Sequence, residues 1–159
     1  MADALTYLHA EGLVRLDVKP SNVMCSDGHV TQFDLSVARE FKPGERLRID
    51  AGTTGCMAPE QTDRNNIGHY TDVFGKGVVF YELLTGGELP HPFERRTDED
   101  GDAERFLGHE PDPAHPSDLN AEIPRPEGGC ALKALVPDPD GRCANPEEFR
   151  TELMAATGD

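Results

Sequence analysis

The sequence predicts a mainly α-helical domain with one small β-hairpin, an α+β arrangement, and three observations predict it. Apolar residues recur at three-to-four spacing over residues 2–11 and 146–155, the period of a one-sided helix. Residues 70–85 are the most apolar stretch, and Val73, Phe74, Val78, Val79, Phe80, Leu83 and Leu84 cover most of a helical circumference, which marks a buried helix. Between the first two of these, Asp27-Gly28 joins Val23-Met24-Cys25-Ser26 to His29-Val30-Thr31-Gln32-Phe33, a hairpin turn pair between strand-like runs.

In chain order, Ala4, Leu5 and Leu8 line the first helix and Gly12 stops it. A polar loop, 15–22, follows. With Asp27 and Gly28 as the turn, Ser26 faces His29, and counting outward sets Asn22 opposite Phe33. Residues 34–60 are charged, Gly-bearing and aperiodic, and read as a mobile loop. The central helix, about 71–85, starts with Asp72, which the helix dipole favours there, and ends at Gly86-Gly87. Its Gly75 and Gly77 permit close backbone approach at a helix cost of about 1 kcal/mol each.

Between 97 and 129 there are ten Asp or Glu against two Arg, so this zone reads as an acidic loop region with a short helix around Glu99–Leu107. A short helix, Cys130 to Val136, leads to a turn over 137–142. Asn145 or its neighbour caps a last helix, with Pro146 in the first turn and Phe149 and Leu153 on the buried face.

The 159 residues amount to one domain, 1–155, with enough chain to bury a core. No run of eighteen apolar residues is present, so no membrane association is expected, and the start carries no basic-then-apolar signal segment. Cysteines 25, 56, 130 and 143 form no CxxC pair and read as reduced thiols of a cytoplasmic protein. A net charge of −15 argues against nucleic acid as a partner.

The chemistry concentrates in Arg15-Leu16-Asp17-Val18-Lys19-Pro20-Ser21-Asn22 and in Asp34. Phosphoryl transfer needs a carboxylate to accept a hydroxyl proton and cations to offset charge on the moving group. Asp17 supplies the carboxylate. Lys19 is two residues on, and in an extended loop it points to the same side. Asn22 and Asp34 are oxygen donors suited to Mg²⁺, and the hairpin register sets both at one end.

These residues resemble the catalytic loop and metal-binding Asp of a bacterial-type serine/threonine protein kinase. Ala58-Pro59-Glu60 resembles the family's Ala-Pro-Glu, and Asp34-Leu35-Ser36 stands where the family has Asp-Phe-Gly. The resemblance implies a kinase that moves the γ-phosphate of ATP, with Mg²⁺, to protein Ser or Thr. It makes Asp17 the base, Lys19 the γ-phosphate contact, Asn22 and Asp34 the metal ligands, and 34–60 the activation segment. It further implies that Thr53 bonds Asp17 and Lys19, that Asp72 bonds the catalytic-loop backbone from beneath, and that Arg142 pairs with Glu60.

The resemblance covers only the family's larger, C-terminal lobe. No G-x-G-x-x-G loop and no Val-Ala-x-Lys strand is found, so the N-terminal lobe is expected to be absent. Activity in this chain alone is then doubtful, and the face that meets the smaller lobe needs that lobe or a partner to cover it. The alternative reading is an inactive kinase-like remnant that binds proteins. Arg15 and Leu16 replace the loop's usual His and Arg.

Overall fold

The buried helix expected at 71–85 spans His69–Thr85 (α3) in the computed structural model, which describes residues 1–42, 52–62, 67–91, 93–98, 101–106, 109 and 112–158. Val73, Phe74 and Val78 of α3 are wholly buried, and Val79 and Tyr81 nearly so. Three sides of α3 meet three groups of neighbours. Phe74, Val78 and Tyr81 pack with Ala131 and Leu135, Val73 packs with Cys143 and Phe149, and Val79 packs with Leu5 and Val18. The buried apolar residues of α3 therefore have partners while Leu83 stays exposed, and Gly86 ends the helix with φ +78°.

The elements that surround α3 follow in order. The first helix is Ala2–Ala10 (α1), followed by the short strand Leu13–Val14 (β1). The hairpin is Val23–Ser26 (β2) and His29–Gln32 (β3), with Ser26 paired to His29 as the turn requires. The Phe33 N–H donates to the Asn22 carbonyl at 3.1 Å, which continues the register to the expected end. Arg39–Glu40 (β4) pairs antiparallel with β1, a contact that the aperiodic sequence of 34–60 did not announce. Pro59–Thr62 forms α2.

Two expectations are corrected. The segment expected to be helical around Glu99–Leu107 instead forms a second hairpin, Phe93–Asp98 (β5) with Gly101–Phe106 (β6), in the register Asp98 to Gly101. Its Glu and Arg residues are good helix formers one by one. Pairing across the hairpin overrides that weak preference. The helix expected from Cys130 begins at Arg125 and runs to Ala134 (α5), with Pro126 in its first turn, where a missing N–H costs nothing. Pro116–Leu119 (α4) is a further turn of helix within the supposed acidic loop. The last helix is Pro146–Thr157 (α6), capped by the Asn145 side-chain oxygen, which accepts from Glu147 N–H at 3.1 Å and Glu148 N–H at 2.9 Å. Residues 43–51, the middle of the expected mobile loop, lie outside the described residues.

Gly75 sets how closely α3 approaches the loop that bears Asp17. A Cβ there would stand 2.6 Å from the Val18 carbonyl oxygen and 2.8 Å from Val18 Cβ. Gly75→Ala gains about 1 kcal/mol of helix preference but forces backbone apart at about 1–3 kcal/mol. The expected result is a lower urea midpoint than wild type. An unchanged or higher midpoint would refute this account of the contact.

Candidate active site

The loop between β1 and β2 carries the candidate residues, and α3 holds it from below. Asp72, 1% exposed, accepts the N–H groups of Arg15 and Leu16, each at 2.8 Å, and contacts His9 Nε2 at 2.7 Å. These bonds fix an unusual backbone. Leu16 has φ +66°, the left-handed region that a residue with a side chain enters at a cost. Gln61 Nε2 donates to the Leu16 carbonyl at 2.9 Å, so both backbone polar groups of Leu16 are clamped. Asp17 follows directly.

The Asp17 carboxylate is buried and surrounded by donors. Thr53 Oγ1 donates to Oδ1 at 2.6 Å, Asn22 Nδ2 donates to Oδ2 at 3.1 Å, and Lys19 Nζ lies 2.8 Å from Oδ2. Lys19 Nζ also donates to Thr53 Oγ1 at 2.6 Å. Asp17, Lys19, Asn22 and Thr53 therefore form one hydrogen-bonded group drawn from two segments of the chain. Asn22 Nδ2 additionally reaches the Asp17 carbonyl at 3.3 Å, which leaves the amide oxygen as the group's remaining acceptor on that side chain.

Asp34 is held beside this group through its backbone. Arg15 is 1% exposed, and its guanidinium donates to Gln32 Oε1 at 2.9 Å, to the Phe33 carbonyl, and to the Asp34 carbonyl at 3.2 Å. Burial pulls its pKa down, and the charges of Asp72, Asp17 and Asp34 oppose that pull. Asp34 has φ +67° and an exposed side chain. Hydrogen bonds from the Ser36 side chain and from its N–H, the latter at 3.0 Å, hold the Asp34 carboxyl below the ordinary range. It is therefore a charged oxygen donor near neutral pH. With the Asn22 amide oxygen it offers the hard ligands that a small divalent cation takes.

An open groove of about 530 Å³ runs past Lys19, Ser21, Thr53, Cys56 and Glu82. Burial pushes the Cys56 thiol up to about 11, so it is no nucleophile near neutral pH. Beneath the groove, Glu60 and Arg142 form a two-pronged ion pair, 2.8 Å and 2.9 Å, with side chains 5% and 0% exposed.

Sequence reasoning picked out Asp17, Lys19, Asn22, Asp34, Thr53, Glu60, Asp72 and Arg142, and the hydrogen bonds it expected of Thr53, Asp72 and Arg142 are present. It missed three. Arg15 entered only as a departure from the family pattern, since its acceptors, Gln32 Oε1 and the carbonyls of Phe33 and Asp34, lie 17 to 19 residues on. His9 and Gln61 carry no local signal, since their partners are 63 and 45 residues away.

Thr53→Val tests the cluster. Valine keeps the shape but removes the bridge between Lys19 and Asp17, a loss of about 1 kcal/mol for a hydrogen bond to partly exposed charges. The expected result is a small loss of stability in urea, together with a changed Lys19 ammonium NMR signal. An unaltered Lys19 signal would count against the bridge.

A family model described as protein kinase domain matches residues 1–124. Myosin light chain kinase 2, skeletal/cardiac muscle, of Homo sapiens is 33% identical over 89 residues, which make up 54% of this chain and 15% of that protein. G protein-coupled receptor kinase 2 of Drosophila melanogaster is 40% identical over 87 residues, covering 54% of this chain and 12% of that protein. Myosin light chain kinase 3 of Danio rerio is 33% identical over 89 residues, again 54% of this chain and 12% of that protein. The chain thus matches a small part of the length of these relatives.

Proposed function

Because the chain belongs to the protein kinase domain family, we propose that residues 1–155 are the larger, C-terminal lobe of a serine/threonine protein kinase. In this reading it serves the transfer of the ATP γ-phosphate to a protein hydroxyl. The observation that carries the reading is the Asp17 carboxylate gripped by Lys19, Asn22 and Thr53, of which Lys19 and Thr53 line an open groove. Relatives named as kinases of a myosin light chain and of a G protein-coupled receptor support a protein as the substrate. The bacterial subtype rests on the sequence motifs alone. Among the described residues no helix is long and apolar enough to cross a membrane, and a cytoplasmic place is part of the same proposal.

Mg²⁺ bound with ATP would bring the phosphoryl group and offset its charge. Asn22 and Asp34 would hold the cation, and the chemistry of this donor pair fits it. Asp17 would accept the hydroxyl proton once the incoming hydroxyl displaces Thr53 from Oδ1. Lys19, already aimed between Thr53 and Asp17, would turn its ammonium to the transferred group. Glu82 on the groove wall favours a substrate segment with a cationic side chain.

A second reading has its own observation. Met24, Val30, Phe33 and Leu35 are each about half exposed on and beside the hairpin. No glycine-rich phosphate loop occurs within the 159 residues. Such a surface fits a smaller lobe or another protein laid over it, and fits a binding module without catalysis.

Thermal unfolding with and without millimolar Mg²⁺·ATP separates the two. Ligand at 100 times its dissociation constant adds about 2.7 kcal/mol. The kinase reading expects a Mg²⁺-dependent rise that Asp34→Ala abolishes. No rise in either protein, with no phosphotransfer when a smaller lobe is supplied in trans, would overturn it in favour of the binding module.

A further inference from the structure

Away from the candidate active site, a cavity of about 290 Å³ opens between α1, the β2–β3 hairpin, α3 and α6. Val23, Val30, Val79, Leu83 and Leu153 give it apolar walls, and Lys76 of α3 reaches into its lining. Lys76 is only 6% exposed. Among the described residues its ammonium meets the Pro146 carbonyl at 3.3 Å and the face of Phe149 at 4.3 Å, and it forms no ion pair. The other charged groups at the cavity are exposed at its edge. Arg150 is matched by Glu147 at 2.5 Å, and Asp3 is the carboxylate among the lining residues.

A buried ammonium has three donors and one full charge, and burying it without an anion is unfavourable. The burial shows as a Lys76 pKa pushed down to about 8, against the opposing pull of Cys143, Glu147 and Asp3. An apolar chamber with one uncompensated cation in its wall has a definite chemical complement. We propose that this cavity binds a small amphiphilic carboxylate, its tail against Val79, Leu83 and Leu153 and its anionic head on Lys76. The inference is independent of the kinase reading, since it uses none of the candidate catalytic residues.

Octanoate and octanol, titrated calorimetrically into the whole chain, test it. They share a tail and differ in the charge. A charge-assisted bond gives octanoate an advantage of at least about tenfold. Lys76→Met should remove that advantage while leaving octanol unchanged. Leu83→Trp, at a residue 62% exposed, should block both. Equal binding of the two compounds to the wild-type chain, or no saturable binding of octanoate, would overturn the proposal without recourse to any variant. Undiminished octanoate binding by a folded Lys76→Met chain would overturn it as well.

Discussion

Asp72→Ala lowers the unfolding free energy by about 3–5 kcal/mol, the loss expected when one member of a buried charged network is removed. Among the described residues the carboxylate is the only acceptor for the N–H groups of Arg15 and Leu16, and it also meets His9. Each orphaned buried donor costs about 1–3 kcal/mol. The backbone adds to this, because Leu16 at φ +66° keeps its left-handed conformation under those bonds. Once they are gone, Leu16 relaxes and shifts Asp17 away from Thr53. Asp72→Asn keeps one acceptor oxygen and is expected to lose less. Urea denaturation of wild type and both variants checks the order. A loss below about 1 kcal/mol for Asp72→Ala would show that the loop holds its shape without the carboxylate.

The second large effect is at Arg142. All five of its N–H donors are used: two on Glu60, with the others on the carbonyls of Val136 at 2.5 Å, Pro137 at 2.7 Å and Tyr70 at 3.3 Å. Its guanidinium also lies 4.9 Å from the Phe74 ring. Arg142→Met strands a carboxylate that is 5% exposed, at a cost of about 3–5 kcal/mol. Arg142→Lys keeps the charge but not the planar fork, so it should recover little. Adding Glu60→Gln to Arg142→Met removes the stranded charge. The double variant should therefore lose less than the sum of the singles, by at least about 1 kcal/mol in a denaturation cycle. Strict additivity would refute a direct tie between the two.

Much of this arrangement is legible in the sequence because it is local or carried by motif. Asp27-Gly28 sets the β2–β3 register unaided, and through it the proximity of Asn22 to Phe33 and Asp34. The Asp17–Thr53, Asp72–loop and Glu60–Arg142 pairings come from the family resemblance, since no spacing rule links residues so far apart. What stayed hidden depends on long-range complementarity. β1 and β4 are two residues each and carry no alternation to read. β5 and β6 are rich in charged residues whose individual preferences favour helix, and only their register, Glu94 with Arg105 and Arg95 with Glu104, reveals a strand pair. Arg15 was hidden because two of its three acceptors are the main-chain carbonyls of Phe33 and Asp34, which no residue type advertises, and the third, Gln32 Oε1, is 17 residues away.

The Glu60–Arg142 tie also orders events in time. Residue 142 leaves a ribosome 82 residues after residue 60, so α2 emerges with a bare carboxylate and waits for its counterpart. Synthesis at about 5–20 residues per second makes that wait several seconds or longer. During it, α1, the hairpin and α3 can assemble, and Gln61 on the Leu16 carbonyl and Thr53 on Asp17 can already hold the end of the 34–60 segment. Glu60 is the group left waiting, and the turn before α6 supplies its counter-charge last.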